Sequence, residues 1–157
     1  MELIIVFLAK YFGYVLLAVF LILFWLNKNK DFLFISLVSA LVSRFVFTEL
    51  IRFFYFRPRP FAEQGVSPLI EHAPSASFPS GHAAFFFALS AGIYYYNKKA
   101  GLWFFVGSVA IGLARVFAGL HYFTDVLGGL AIGVFAFWLV SYIFRILKRK
   151  KLNGSPG

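Results

Sequence analysis

The chain has 157 residues, 61% of them hydrophobic and 22% aromatic, with only 13% charged, a formal charge of +9 and no cysteine. A soluble domain holds about 45 to 50% apolar and about 25% charged residues, so a water-soluble globule is excluded and lipid is the solvent for most of this chain. The lack of cysteine excludes disulfides, thiolate chemistry and zinc–thiolate sites, and the positive charge fits the cytoplasmic loops of a membrane protein without a nucleic-acid partner.

A bilayer takes about 20 helical residues to cross. Five apolar segments meet that measure roughly, at residues 3–26, 32–56, 79–96, 101–120 and 125–147, separated by NKNKD, a long connection over residues 57–78, NKKA and HYFT. The expected fold is an all-α polytopic membrane bundle of about five transmembrane helices. Residues 1–151 are expected to form one transmembrane domain, and residues 152–157 a frayed tail or an expression remnant. The first segment opens on Glu2 and exceeds the apolar part of a cleavable signal, so it reads as a retained helix from which Lys10 snorkels outward.

Lys28 and Lys30, then Lys98 and Lys99, then Arg145, Lys148, Arg149, Lys150 and Lys151 fall on alternate connections. Short cytoplasmic loops are enriched in Lys and Arg, which places those connections inside and the 57–78 loop and the HYFT turn outside. The basic tail is then positioned to meet anionic lipid heads.

Charged residues within spanning segments are costly and default to a functional reading. Here they are Arg44, Glu49 and Arg52 in the second segment and Arg115 in the fourth, with Arg57, Arg59, His82, His121 and Asp125 at the outer ends. Arginine presents planar, permanently charged donors that match phosphate oxygens. In SFPSGHAAFFF, Pro79 suits the first position of a helix, and the free N–H groups near Ser80, Gly81 and His82 would face an anion with the helix dipole behind them. Gly81 lets a phosphate come close, and the Ser80 hydroxyl adds a donor.

His121 and Asp125 are four residues apart, so the carboxylate can hold one imidazole nitrogen and present the other as a nucleophile or base. His82 is placed as the general acid, and the arginines as stabilisers of a phosphoryl group in transfer. No acidic cluster is left for a divalent cation, so no metal and no cofactor is expected. Six residues separate Arg115 from His121, about 240° on a regular helix, so both can face one pocket only if the helix breaks near 118–120, where Gly119 permits it.

These residues resemble the three-part signature of the type 2 phosphatidic acid phosphatase superfamily. Arg52 leads by seven positions to Arg59-Pro60; then comes Pro79-Ser80-Gly81-His82; then Arg115, five residues, His121, three residues and Asp125. The resemblance implies a phosphohistidine at His121 supported by Asp125, with His82 as the acid. It also implies phosphate binding by Arg52, Arg59, Ser80, Gly81 and Arg115 without a metal. Two positions depart from the family's usual pattern: Arg52 stands where lysine is usual, and Ala114 where a serine usually precedes the arginine.

The stretch YFRPRPFAEQGVSPLIEHAPSASFPSGH is further similar to bacterial undecaprenyl pyrophosphate phosphatases of the bacitracin-resistance type. That implies a polyprenyl pyrophosphate substrate, cleaved on the outer face of the plasma membrane so that the carrier can serve cell-wall synthesis again. Phosphatidylglycerophosphate or phosphatidic acid is the alternative substrate, and a non-catalytic lipid-phosphate binder or anion transporter the alternative of another class.

Plainer readings attach to the rest. Glu49 and Arg52 are spaced to pair with each other, Arg57 reads as an exposed interfacial charge, and Glu71 and His72 as solvated loop residues. Arg44 has no evident partner. GGLAIG at 128–133 permits close helix approach, first as packing and second as a face for another copy of the chain.

Overall fold

The computed structural model describes residues 1–27, 30–65, 67–72 and 75–153, except the side chains of 152 and 153. Lys28 and residues 154–157 of the expected tail lie outside the described residues. Helix α1 spans Glu2–Leu26 and α2 Asp31–Phe54. They are followed by α3 (Pro60–Gln64), α4 (Gly81–Tyr96), α5 (Lys98–Phe117) and α6 (Phe123–Asn153), and no strand occurs among the described residues. The last helix therefore runs two residues past the expected domain boundary.

Four helices, α1, α2, α5 and α6, are long and apolar enough to cross a membrane. The expected fifth, α4, has 16 residues. At 1.5 Å per residue it covers about 24 Å, less than the roughly 30 Å hydrocarbon core. It is the centre of the bundle, enclosed by α2, α5 and α6. Its residues are apolar all round and most are buried, as suits a helix with neighbours on every side.

The chain entering α4 is also interior, with Ser77, Pro79 and Ser80 fully buried. The structure corrects the expected start of this helix. Ser80 takes the N-cap, its Oγ accepting from Ala83 N at 3.4 Å, because a serine oxygen satisfies a free N–H group of the first turn. Pro79 accordingly precedes the cap, joined to Phe78 by a cis peptide bond, instead of occupying the first helical position.

Small residues set the helix spacing. A methyl group on Gly133 would stand 2.6 Å from the Ala84 carbonyl, and one on Gly129 2.7 Å from the Ser80 carbonyl. The GGLAIG stripe is thus spent on seating α6 against α4 within the chain, the packing reading of that motif. Hydroxyls tie α4 to its other neighbours: Ser43 Oγ of α2 donates to Ala84 O at 2.9 Å, and Ser90 of α4 and Ser108 of α5 meet through their hydroxyls at 2.9 Å.

Candidate active site

Helix α5 ends where the sequence required it to. Gly119 adopts φ +75°, Gly119 N donates to Val116 O at 3.0 Å and Leu120 N to Arg115 O at 3.0 Å. This is the left-handed glycine stop known as a Schellman motif, in which orphan carbonyls of the last turn are satisfied. It leaves Arg115 on the helix and swings His121 off its end, so both reach one cavity.

That cavity measures about 140 Å³. Helix α2 contributes Arg44 and Arg52, the 57–78 connection Arg59, His72 and Ser75, the start of α4 Gly81 and His82, and the α5–α6 junction Arg115 and His121. The structure thus brings together seven of the eight residues picked out by sequence for catalysis or phosphate binding, leaving Ser80 aside, with Asp125 placed behind His121. Ser80 caps α4 through its oxygen, which leaves its O–H to donate.

His121 is 2% exposed and Asp125 fully buried. Asp125 Oδ2 lies 3.5 Å from His121 Nδ1, accepts from Tyr122 N at 2.8 Å and accepts a short bond from Ser77 Oγ. Its other oxygen accepts from Arg57 Nη1 at 3.0 Å. The carboxylate is therefore saturated, and it holds the Nδ1 side of the ring. The far nitrogen, Nε2, faces the cavity, 3.4 Å from Arg59 Nη1. Burial pushes the His121 imidazole down to about 4, with Asp125 opposing the fall and Arg115 and Arg59 adding to it, so the ring is neutral and Nε2 carries a lone pair.

The arginines differ in what already holds them. Arg59 is 2% exposed. It is fixed by Nη1 to Leu120 O at 2.9 Å and by Nη2 to Ser75 Oγ at 3.1 Å, and burial first, then Arg52, lower its guanidinium to about 10. Arg52 reaches Glu49 Oε1 at 3.3 Å and Pro79 O at 3.0 Å, so the pairing and cavity-lining readings both hold. Arg115 Nη1 donates to Ala9 O at 3.0 Å. Among the described residues the buried Nε groups of Arg52 and Arg115 have no partner, an arrangement that an arriving anion would satisfy.

Four sequence readings change. Arg57 is not a bare interfacial charge: it donates to Thr124 Oγ1 at 2.7 Å and to Asp125, and its guanidinium lies 3.9 Å from the Tyr122 ring centroid. Ser77, passed over in the sequence, touches both Asp125 and His121. Arg44 has a partner, Glu49, and its side chain lies across Gly81, where an added methyl would stand 2.7 Å from it. His72 is half-buried and lines the cavity as well as meeting solvent. The Ala114 departure is structurally quiet: this residue packs with Ala9, Ala118 and Leu120.

Comparison with known proteins agrees with this geometry. Residues 32–149 match the model of the PAP2 superfamily. The chain is 33% identical to the bacitracin transport permease protein BcrC of Bacillus licheniformis, over 90% of this chain and 74% of that one. It is 34% identical to the undecaprenyl-diphosphatase BcrC of Bacillus subtilis (strain 168), over 90% and 72%. The crystal structure of Aquifex aeolicus LpxE superposes with a TM-score of 0.76 at 24% identity, covering 90% of this chain and 85% of that one, a likeness of fold. A chain matched by the family model over most of its length, and carrying a buried histidine–aspartate pair beneath an arginine-lined cavity, belongs to the PAP2 superfamily.

Proposed function

We propose that this membrane lipid phosphatase hydrolyses undecaprenyl (polyprenyl) pyrophosphate to the monophosphate and orthophosphate, on the outer face of the bacterial plasma membrane, through a phosphohistidine. The observation that carries the reading is the buried His121–Asp125 pair with Nε2 turned to the cavity. A binder or carrier of anions has use for the arginines and none for a nucleophile held by Asp125, Ser77 and Arg57. The Bacillus subtilis relative bears the name of a diphosphatase and the Bacillus licheniformis one that of a permease, and the pair favours the first.

In this reading Arg52, Arg59 and Arg115, with the N–H groups of Gly81 and His82, hold the terminal phosphate, the Ser80 N–H being taken by Asp125 O at 2.9 Å. Phosphate charge among them favours the protonated form of His82. The lone pair on His121 Nε2 attacks phosphorus, the bond to the bridging oxygen breaks, and His82 gives its proton to the departing lipid monophosphate. Asp125 stabilises the charged ring. Water then attacks the phosphohistidine, neutral His82 taking its proton, and the N–P bond breaks to free orthophosphate and restore His121.

The test is orthophosphate release by purified protein in detergent with excess chelator, from undecaprenyl pyrophosphate and from phosphatidylglycerophosphate, with His121→Gln beside the parent. Chelator-resistant release that prefers the pyrophosphate and vanishes in the variant is expected. Preference for phosphatidylglycerophosphate would move the substrate assignment, and no release from either lipid would sink the enzymatic reading in favour of a binder.

A further inference from the structure

Lys10 is a charge that the chemistry above leaves unused. It stands about 12 Å along α1 from Glu2, at 1.5 Å per residue, exposed on a membrane-spanning helix with its ammonium 5.3 Å from the Tyr11 ring centroid, and a cation within such a helix defaults to a functional reading. Its neighbour Ala9 gives its carbonyl to Arg115 at 3.0 Å, which fixes Lys10 at the depth of the phosphate cavity. The turn that carries it, Phe7–Tyr11, is of the π type, an irregularity found disproportionately at functional sites.

A second cavity of about 130 Å³ opens between α1 and the core helices. Lys10 and Tyr14 supply its polar wall, while Leu17, Phe86 and Ile111 supply its apolar one. His82 belongs to this cavity and to the phosphate cavity alike, so it is the partition between them. Attack and departure occur on opposite sides of a transferring phosphoryl group. With His121 on one side and the proton of His82 delivered on the other, the departing half of the substrate has to lie beyond His82.

We infer that this second cavity is the leaving-group site: Lys10 and the Tyr14 hydroxyl bind the phosphate that stays on the lipid, and the first carbons of the chain lie against Leu17, Phe86 and Ile111. From there the tail passes into the bilayer along the exposed face of α1, where Tyr11, Tyr14 and Leu21 are about half exposed or more. The occupant is an anionic phosphate ester of an apolar chain, matched by one cation and an apolar wall. The inference rests on the pyrophosphate reading, because a phosphate monoester departs as a neutral alcohol and offers Lys10 no charge.

Two readouts test it, with Lys10→Gln, Lys10→Arg and the parent in detergent. The Gln variant is expected to lose at least tenfold in kcat/KM on undecaprenyl pyrophosphate, a loss at least five times larger than on phosphatidic acid, and the Arg variant to recover most of it. In thermal unfolding, inorganic pyrophosphate is expected to stabilise the parent more than orthophosphate does, and that advantage to disappear in Lys10→Gln. Equal losses on both lipids, or an undiminished advantage of pyrophosphate in the variant, would overturn the assignment. The unfolding arm needs no turnover, so it judges Lys10 even where the parent fails on undecaprenyl pyrophosphate and the proposed substrate falls. Lys10→Met, which suits a lipid-exposed position, replaces the Gln variant should that one not fold.

Discussion

At the scale of single residues, Asp125 is the most heavily engaged group in the site. Its oxygens are met by Arg57, Ser77, Tyr122 N and His121. His121 and Asp125 were legible in the sequence because their spacing at one helix junction is itself a signal. Arg57 and Ser77 were not, since they reach Asp125 across 68 and 48 residues of chain and no local pattern marks such a contact. Removing one partner of a buried charged group costs about 1–3 kcal/mol. Arg57→Gln and Ser77→Ala are therefore expected to lower kcat about tenfold or more with little change in KM, because they act on the support of the proposed nucleophile and not on the phosphate. Steady-state kinetics on the preferred lipid checks this; an unchanged kcat in both variants would return Arg57 to the interfacial role first read for it. Burial of His121 adds a pH signature. The unfolded imidazole protonates near 6.5 and the folded one near 4, so between these values the unfolded chain binds more protons and stability falls as pH falls. The shift corresponds to roughly 3 kcal/mol, present above pH about 6.5 and lost on descending to about 4. Thermal unfolding in phosphate-free buffer is expected to show the parent losing more of its midpoint between pH 7 and 4.5 than His121→Gln does, and parallel curves would mean that the ring is not held neutral.

At the scale of elements, the five apolar runs all became helices, but their ends and irregularities were only partly readable. The stop of α5 was legible because two side chains about 240° apart on a regular helix had to share a pocket, and a glycine stood between them. The π-type turns Phe7–Tyr11 and Val42–Phe47 carry Lys10 and Arg44 and had no counterpart in the apolar pattern, which is blind to one residue gained in a turn. The short helix α3 was missed because five residues behind a proline give no periodicity. The glycine stop offers a direct test. At φ +75° an L side chain is strained by about 1–2 kcal/mol, and asparagine tolerates the conformation better than alanine. Gly119→Ala is expected to lower both the unfolding midpoint and kcat, and Gly119→Asn to do so less, since nothing stands near the position to clash with a new Cβ. Equal behaviour of the two variants would show that the left-handed turn does not position His121.

At the scale of the whole molecule, composition told the solvent and hydropathy told the number of apolar elements, but neither told which helix is central. All five runs are apolar enough to look alike, and α4 is distinguished only by its shortness and by neighbours on every side. Lysine, in contrast, collects mostly at one end of the bundle while arginine lines the phosphate cavity at the other. Lys98, Lys99, Arg145 and Lys148 gather at the end of the bundle away from His82, His121 and Arg59, where Lys148 also meets Asp31 at 2.7 Å. Cytoplasmic connections are enriched in lysine and arginine, so the proposed outward face of the phosphate cavity requires this end to be the cytoplasmic one. The chain's freedom from cysteine makes this measurable. Glu71, in the 57–78 connection, and Lys99, at the start of α5, are both exposed, so a single cysteine at either place is the chain's sole thiol. With a membrane-impermeant maleimide, Glu71→Cys is expected to be labelled in intact cells and Lys99→Cys only after permeabilisation. The reverse pattern would place the site in the cytoplasm, where a carrier lipid emptied on the outer face is out of its reach. The chemistry proposed for His121 would then survive, and the outer-face hydrolysis proposed with it would not.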